Sequence, residues 1–441
     1  SMKDTRNLPQ TEYPIRVNSK QDDPVMLKRW QAQDLYKKSF ELNKGKTKYI
    51  LHDGPPYANG NIHLGHAYNK ILKDILCKYR RMAGYQVPVK PGWDCHGLPI
   101  ELKVVQSNPS LTDSIKTTND SALSSEKRSE IIKACREYAN KWIEVQKEEF
   151  KKLGVLMDWE NPYITMSHEY EAATLRAFGK LVNEGYVERK NKTVAWCPSC
   201  QTTLASAEIE YQDRKDPSVY VEFELDEQNK LSLFPKVSGT ISIAVWTTTP
   251  WTLPLNRAVM IHKDAPYRLI EIKDKNNNIK NIIIGAQVSE NFVKLLNQDL
   301  VVLEEFSPAR LFGSKVLHPF VKNLKVPVIL DSSVGVDDGT AAVHIAPGCG
   351  PVDYEIGVKN GLEVYCPVSP DGKYSAGIEP IELEGMPVAD GQIWVIKKLA
   401  ELGKMLFKNN ITHSYPHCWR CRNGLIFRAT RQWFFDLNTQ N

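Results

Sequence analysis

The sequence predicts an α/β fold carrying a large β-rich insert, and three observations predict it. A β-prone run from Lys48 to His52 leads through a Gly/Pro-rich turn into a long helical pattern. From about residue 205 to 405 the pattern becomes short strands separated by turns. Two CxxC pairs, Cys197/Cys200 and Cys418/Cys421, bracket that stretch almost completely. Strand–turn–helix units build parallel sheets, whereas runs of short alternating strands build a separate β domain.

In chain order, residues 1–47 read as a leader and one helix, Pro24 to Leu42, carrying Trp30, Leu35 and Phe40. Residues 48–204 form the first α/β region. Its turn is DGPPYANGNIHLGH, Asp53 to His66, and the helix after it repeats Leu64, Tyr68, Ile71, Leu72, Ile75, Leu76 and Tyr79 at helical spacing. His63 and His66 fall in the first turn. A helix N-terminus offers unpaired N–H groups and a positive dipole end, so it attracts phosphate. Two imidazoles three positions apart share one helix face and can donate to phosphate oxygens. An ordinary strand–turn–helix with half-buried histidines would carry the bare HxGH spacing equally well.

Tyr85 to Glu101 reads as a strand followed by a Gly/Pro-rich loop, and Asp94 and His96 lie just past the strand's carboxyl end, where α/β ligands sit. Gly92 and Gly97 bracket them, so simple turn chemistry is the competing reading. Residues 104–128 are polar and turn-rich and read as a surface insertion. Helices are expected over Glu130 to Leu153, whose Lys/Glu content reads as a solvated face, and over Glu169 to Gly185, with a turn at Asp158 to Tyr163 between them. Then come the strands SVYVEFEL, TISIAVW, YRLIEI, NIIIG, VPVIL and AAVHIA, with KDKNNN as a hairpin loop and helices at Val288–Leu296 and Gln392–Leu402. Residues 205–405 are thus the β-rich domain, and 406–441 return to the first.

Composition excludes several classes. The 441 residues are 42% hydrophobic and 25% charged, ordinary values for globular protein in two to four domains. No apolar run approaches the ~20 residues of a membrane span, and no signal-peptide pattern is present. The net charge of +5 is compatible with a polyanionic partner such as RNA without establishing one. An odd count of nine cysteines argues for a reducing cytoplasm and against a disulfide framework. Within it, WCPSC and HCWRC each offer two thiolates from a tight turn, and together they complete a tetrahedral Cys₄ set of the structural zinc type. Such a zinc at Cys197, Cys200, Cys418 and Cys421 would tie the insert's entry to its exit. Redox CxxC motifs and unconnected cysteines are the alternatives, and neither pair sits in a thioredoxin-like context.

Two pieces of the β-rich stretch carry possible chemistry. AVWTTTPWTLPLN begins as a strand and breaks at Pro250, with Thr247, Thr248 and Thr249 at the break and Asn256 at its end. A threonine run is ordinarily just strand, but hydroxyls at a strand end can line a pocket that holds a water. In GTAAVHIAPGCGPVDYEIG, His344 closes a strand and Asp353 follows a Gly/Pro loop, where a carboxylate can bind an ammonium group.

The full DGPPYANGNIHLGH resembles the HIGH signature of class I aminoacyl-tRNA synthetases in its isoleucyl version, and the resemblance runs from the leader to FRATRQWFFDL. It implies the first half of a Rossmann-type catalytic domain, with Gly54, Pro55, Pro56, His63, Gly65 and His66 at ATP or its adenylate, Mg²⁺ accompanying ATP, and Asp94 on the substrate's α-ammonium. It implies the neck zinc as well. TTTPWTLP and HIAPGCG resemble the isoleucyl editing domain, which hydrolyses valyl-tRNA(Ile). That resemblance places Thr247, Thr248, Thr249, Asn256, His344 and Asp353 in the editing site. The family more often has HTAPGHG, so Ile345 and Cys349 are departures, as are Ala341-Ala342 and Val352. Two sites are needed because one methylene is worth only ~1–3 kcal/mol in a hydrophobic pocket, a general figure for which isoleucine against valine is itself the standing example.

The resemblance implies an isoleucine–tRNA ligase acting on isoleucine, ATP and tRNA(Ile), a cytoplasmic monomer with no membrane partner. The lysine-rich KMSKS loop and an anticodon-binding domain have no counterpart in the sequence, which reads as an N-terminal fragment. Two other readings compete. One is a free-standing aminoacyl-tRNA deacylase, against which the HLGH run argues. The other is a zinc-pinned RNA-binding module without catalysis, against which the threonine and Asp353 constellation argues.

Overall fold

The computed structural model describes residues 10–12, 18–108 and 125–437. Most of the surface insertion expected over 104–128, and the start of the leader, lie outside the described residues. The chain divides into two compact units at Gly185/Tyr186.

In the first unit the helices are α1 (Ser19–Ala32), α2 (Leu35–Leu42), α3 (Leu64–Met82), α4 (Leu98–Ser107), α5 (Ser125–Lys152) and α6 (His168–Asn183). The single helix expected over Pro24–Leu42 is two, because Asp34 takes φ 48° and turns the chain between α1 and α2. The strand expected at Lys48–His52 reduces to a parallel bridge between Lys48 and Gln86. A second parallel bridge joins Tyr57 to Asp94, and β1 (Gly92–Trp93) pairs in parallel with β2 (Tyr163–Ile164). The parallel order is right, but the ladders are short. Pro55, Pro56, Pro88 and Pro91 have no N–H to donate, and proline interrupts a ladder wherever that donor is needed.

The helical period of α3 is as the sequence predicts, but its buried line is Lys70, Asp74, Cys77 and Arg81. The apolar side chains Leu64 and Ile75 are 86% and 58% exposed. The buried polar line is largely paired, although Arg81 Nε and Nη1 have no hydrogen-bond partner among the described residues and the guanidinium lies over the Tyr36 ring at 4.9 Å. Asp74 accepts from the Leu156 amide at 2.9 Å and pairs with Lys78, and Arg81 donates to the Leu156 carbonyl at 3.3 Å. One core gathers Ala58, Trp93, Ile100, Val104 and Ile143, so the turn, β1, α4 and α5 close on each other.

In the second unit two antiparallel ribbons lead into a large sheet. β3 (Val187–Cys197) pairs with β15 (Ile426–Phe435), and the long β5 (Ile209–Leu225) pairs with β14 (Met405–Cys418) from Ile209–Cys418 to Val221–Met405. A short β4 (Thr202–Thr203) edges β3. The sheet continues through β6 (Ile241–Thr247), β7 (Ala258–His262), β8 (Tyr267–Lys273), β9 (Ile279–Gly285), β10 (Val301–Phe306), β11 (Lys315–Leu317), β12 (Lys325–Asp331) and β13 (Ala342–Ile345). Its order is β10-β8-β9-β6-β5-β11-β12-β7-β13. β6–β9 and β12–β7 are parallel pairs, and the other pairs are antiparallel. The Gly285 amide at the end of β9 donates to the Thr340 carbonyl just ahead of β13, so the sheet curls until its last strand comes back to β9, the third in the order. A Cβ on Gly285 would collide with that of Ala341, which explains a glycine there.

All six expected strands form, and 274–278 closes the β8–β9 hairpin with Asn277 at φ 65°. β7, β10, β11 and β14 of this sheet are not among the strands the sequence predicts. The helices of this unit are α7 (Glu227–Leu233), α8 (Ser289–Leu295), α9 (Pro351–Lys359) and α10 (Val388–Glu401). Alternating residues of β5 and β6, among them Val219, Val221, Phe223, Ile241, Ile243 and Val245, are fully buried in the main core.

Candidate functional site

At the start of α3, His63 is the N-cap and His66 the third helical residue. Each ring accepts the other residue's backbone N–H on Nδ1, both at 3.3 Å, in a reciprocal capping box. The rings stack with centroids 3.8 Å apart and planes 18° apart. An Nδ1 that accepts leaves the proton on Nε2, so both imidazoles present an N–H donor outward. Burial, and then the neighbouring His63, hold the His66 imidazole below its ordinary range. Gly65 has no Cβ because one would press on the His63 ring at 3.0 Å.

The preceding turn is gripped from below. Buried Asp53 pairs with Lys70 and, at 2.5 Å, with Lys73, both on α3. Desolvation, and then Lys73, lower Lys70 to about 8. Gln146 of α5 is fully buried. It donates to the Tyr57 and Gly60 carbonyls at 2.9 and 2.8 Å and accepts from the Trp93 indole at 3.1 Å. Glu149 accepts from the Ile62 amide at 2.9 Å and the Asn61 side chain at 2.6 Å, and Tyr138 reaches Asn59 at 2.8 Å. Of the Lys/Glu residues of α5 read as a solvated face, Lys133, Glu137, Lys141, Glu144 and Glu148 are exposed, while Glu149 joins Gln146 and Tyr138 in clamping the motif. Asp94 joins it through the backbone: its amide donates to Pro56 and its carbonyl accepts from Ala58, both at 2.9 Å. Gly54 is exposed, Pro55 half-buried and Pro56 buried beside it.

In the second unit β6 ends in a 3₁₀ turn, Pro250–Leu255, and its hydroxyls run toward β13. Thr247 and Thr249 Oγ1 lie 3.4 Å apart, Thr249 and Thr252 Oγ1 3.4 Å apart, and Thr252 Oγ1 lies 3.0 Å from His344 Nε2. The Thr252 hydroxyl hydrogen is committed to the Thr249 carbonyl at 2.8 Å, so its oxygen accepts from His344 Nε2–H. His344 Nδ1 then carries a lone pair, and it is buried without a protein partner. Burial lowers His344 to about 4, so the ring is neutral. Thr248 stands half-buried beside this chain and makes none of its bonds.

Asp353 lies in the first turn of α9, and its carboxylate accepts the Ala346 amide at 2.8 Å, two residues past His344. Burial raises it to about 6, against the opposing pull of that amide. Asn256 is fully buried. It donates to the Ala258 carbonyl at 2.8 Å, and its Oδ1 has no protein partner. Thr247, Thr249 and His344 are thus brought into one hydrogen-bonded chain, and Asp353 reaches it through Ala346. Asn256 bonds away from it. Thr252, the central link, was missed. Its only sequence signal is its place in TTTPWTLP.

Cys197 ends β3, Cys418 ends β14, and Cys200 and Cys421 follow in their turns. Their four sulfurs lie within 4.8 Å of one another. A tetrahedron with ~2.3 Å metal–sulfur arms has edges of about 3.8 Å, so the quartet fits one metal ion. Burial, and then the neighbouring sulfurs, push the Cys197 thiol up to about 11.

Residues 25–440 match the family described as tRNA synthetases class I (I, L, M and V). The chain is 43% identical to an isoleucine–tRNA ligase of Brachyspira hyodysenteriae over 434 residues, 98% of this chain and 45% of that protein. It is 43% identical to an isoleucine–tRNA ligase of Thermotoga neapolitana over 441 residues, 100% of this chain and 45% of that one. The chain therefore spans less than half the length of these relatives. Among solved structures, an Agrobacterium radiobacter K84 LeuRS–tRNA–LeuAMS complex matches 93% of this chain and 52% of its own, at 18% identity and a TM-score of 0.37.

Proposed function

The chain belongs to the class I tRNA synthetases (I, L, M and V), and from that membership we propose that it serves isoleucine–tRNA ligation and its proofreading. In this reading ATP with Mg²⁺ and isoleucine meet at the HLGH end, and the acyl group passes to tRNA(Ile). The Nε2–H groups of His63 and His66 would donate to the phosphates at the α3 N-terminus, where the helix dipole also favours anions. Asp94 would take the amino acid's ammonium. Backbone pairing of Asp94 with the Pro56–Ala58 loop supports that assignment, since it keeps ammonium and nucleotide groups on neighbouring strands.

The second unit would hydrolyse valyl-tRNA(Ile). The observation that carries this is the hydrogen-bonded run Thr247–Thr249–Thr252–His344 ending beside the loop that Asp353 caps. Ester hydrolysis needs a fixed substrate and an oriented water, and need not use a protein nucleophile. Ionised Asp353 would hold the α-ammonium by a charge-assisted hydrogen bond. Thr247, Thr248 and Thr249, with Asn256, would shape the pocket and orient water or ribose. Neutral, buried His344 would border the side-chain pocket and help exclude isoleucine. The cysteine quartet would hold a structural Zn²⁺ that pins the two ribbons.

The test is single-turnover deacylation of valyl-tRNA(Ile) at high protein concentration. Losing a charged hydrogen-bond partner costs roughly 1.5–3 kcal/mol, on the order of 10- to 150-fold in rate when it acts in the transition state. Asp353→Ala should slow hydrolysis by that factor. Equal, measurable rates for wild type and Asp353→Ala would show the ammonium anchor to be misassigned.

A further inference from the structure

We propose that Cys349 and Cys366 are a redox-modification site: peroxide converts them to a reversible disulfide that clamps the loop leading to Asp353. The effect on hydrolysis rests on the proofreading reading above, whereas the disulfide itself does not. The two sulfurs lie 3.7 Å apart in the reduced protein. They belong to different loops, and both loops are fixed. Cys349 closes a tight turn by donating its amide to the Ala346 carbonyl at 2.8 Å. A Cβ on Gly348 would collide with the Tyr365 carbonyl and the Cys366 Cβ, so the loops meet with no side chain between them. β15 stitches both down: Ala429 donates to the Gly348 carbonyl at 2.7 Å, and Arg428 donates to the Val368 carbonyl at 2.8 and 3.1 Å. Thr193 holds the Pro347 carbonyl at 2.8 Å.

The pair is asymmetric, as an attacking and a resolving thiol should be. Cys349 is 8% exposed, and Cys366 is somewhat less completely covered. Cys366 is held below the ordinary thiol range because it accepts the Cys349 S–H, with help from the Ala429 amide and the Arg428 charge. Cys349 is pushed up by that same bond and by burial.

The Cys366 thiolate attacks one peroxide oxygen, the O–O bond breaks, and the departing hydroxide takes a proton to leave as water. The Cys349 sulfur then displaces the hydroxyl from the Cys366 sulfenic acid, and that hydroxyl leaves with the Cys349 proton as a second water. Two thiols and one hydrogen peroxide become one disulfide and two waters. A disulfide needs its sulfurs at about 2.05 Å, so closure draws Cys349 toward Cys366 and bends the 346–350 turn. Gly350 caps α9, and Asp353 bonds the Ala346 amide across that same turn. The bond would therefore move the ammonium anchor.

The experiment treats the full, metal-loaded chain with hydrogen peroxide, alkylates the remaining thiols, and maps peptides without reduction. The expected result is a peptide pair linked through Cys349 and Cys366, reversed by a thiol reductant and absent from Cys366→Ser. Cys349→Ser should leave Cys366 oxidised beyond the sulfenic acid, with no link. Both cysteines remaining alkylatable at a dose that oxidises the half-buried Cys135 would overturn the proposal. In parallel, valyl-tRNA deacylation should fall about tenfold on oxidation and recover on reduction. A link that forms without changing that rate overturns the clamp. If the reduced chain shows no deacylation, the proofreading reading has failed, and the peptide map alone still decides the disulfide.

Discussion

At the HLGH turn the functional groups stand outward. His63 is exposed, each ring accepts a backbone N–H on Nδ1, and the turn is held from beneath by Asp53, Gln146 and Glu149. At the threonine–histidine cluster the functional groups face inward. His344 and Asn256 are buried, each with one polar atom that no protein group satisfies. The first arrangement places its polar cost in the scaffold and leaves the two histidines cheap to solvate. The second places that cost in the site itself, because a buried unpaired acceptor is expensive until something donates to it. A surface that must release a charged nucleotide suits the first design. A pocket that must distinguish side chains by fit suits the second.

Metal removal should separate the two regions most strongly. Structural zinc contributes on the order of 10 kcal/mol in small domains, and the cysteine quartet sits at the ends of β3 and β14 in the second unit. Metal-replete protein should carry one zinc per chain by elemental analysis. Chelation or Cys418→Ser should abolish it and raise amide exchange in β3, β14 and β15, with α3 unchanged. Replete protein without zinc, or equal loss of protection in α3, would break the contrast.

Acid should act next, and on the buried region. Burial holds His344 at about 4 and His318 at about 3, below the unfolded value of 6.5. A group depressed in the folded state contributes stability above its unfolded pKa and loses it as pH falls toward the folded one. Stability should therefore decline from about pH 6.5 down through 4, by on the order of 3 kcal/mol for His344. Denaturant midpoints measured from pH 7.5 to 4.5 should fall less steeply in His344→Gln. An unchanged slope would mean that His344 is not the titrating group.

The scaffold of the outward site can be tested at Gln146. Gln146→Leu strands the Gly60 carbonyl and the Trp93 indole and takes one of its donors from the Tyr57 carbonyl, which keeps the Asn59 amide, at a cost of about 3 kcal/mol. Ile62 should lose amide protection, and the second unit should not respond. If Ile62 exchange is unmoved, α5 does not hold the motif.

The smallest effect concerns Asp353. Its pKa is raised to about 6 by burial, so the folded state is favoured below about pH 4 and loses that margin as pH rises through 6. Asp353→Asn keeps the acceptor for Ala346 and removes the charge. It should stabilise the chain at pH 8 by about 1 kcal/mol after allowing for solvent screening, and do nothing at pH 3.5. A destabilised Asp353→Asn at pH 8 would show that the charge is structurally required.

By itself the sequence determined what repeats locally or is spaced within one turn. The α3 period, six strands of the sheet, the KDKNNN hairpin and the two CxxC pairs are of this kind, because helical and strand periods and metal-binding turns are written in neighbouring residues. It also marked His63, His66 and the TTT run, through motif context. Only the tertiary structure decided which side of α3 is buried, since apolar spacing reports a helix and not what covers it. It decided that Tyr138, Gln146 and Glu149 clamp the turn, that Thr252 links the hydroxyl run to His344, and that prolines break the strand at 48–52 into a bridge. Each of these depends on a partner far along the chain, and a hydrogen bond across such a distance leaves no periodic trace in either segment.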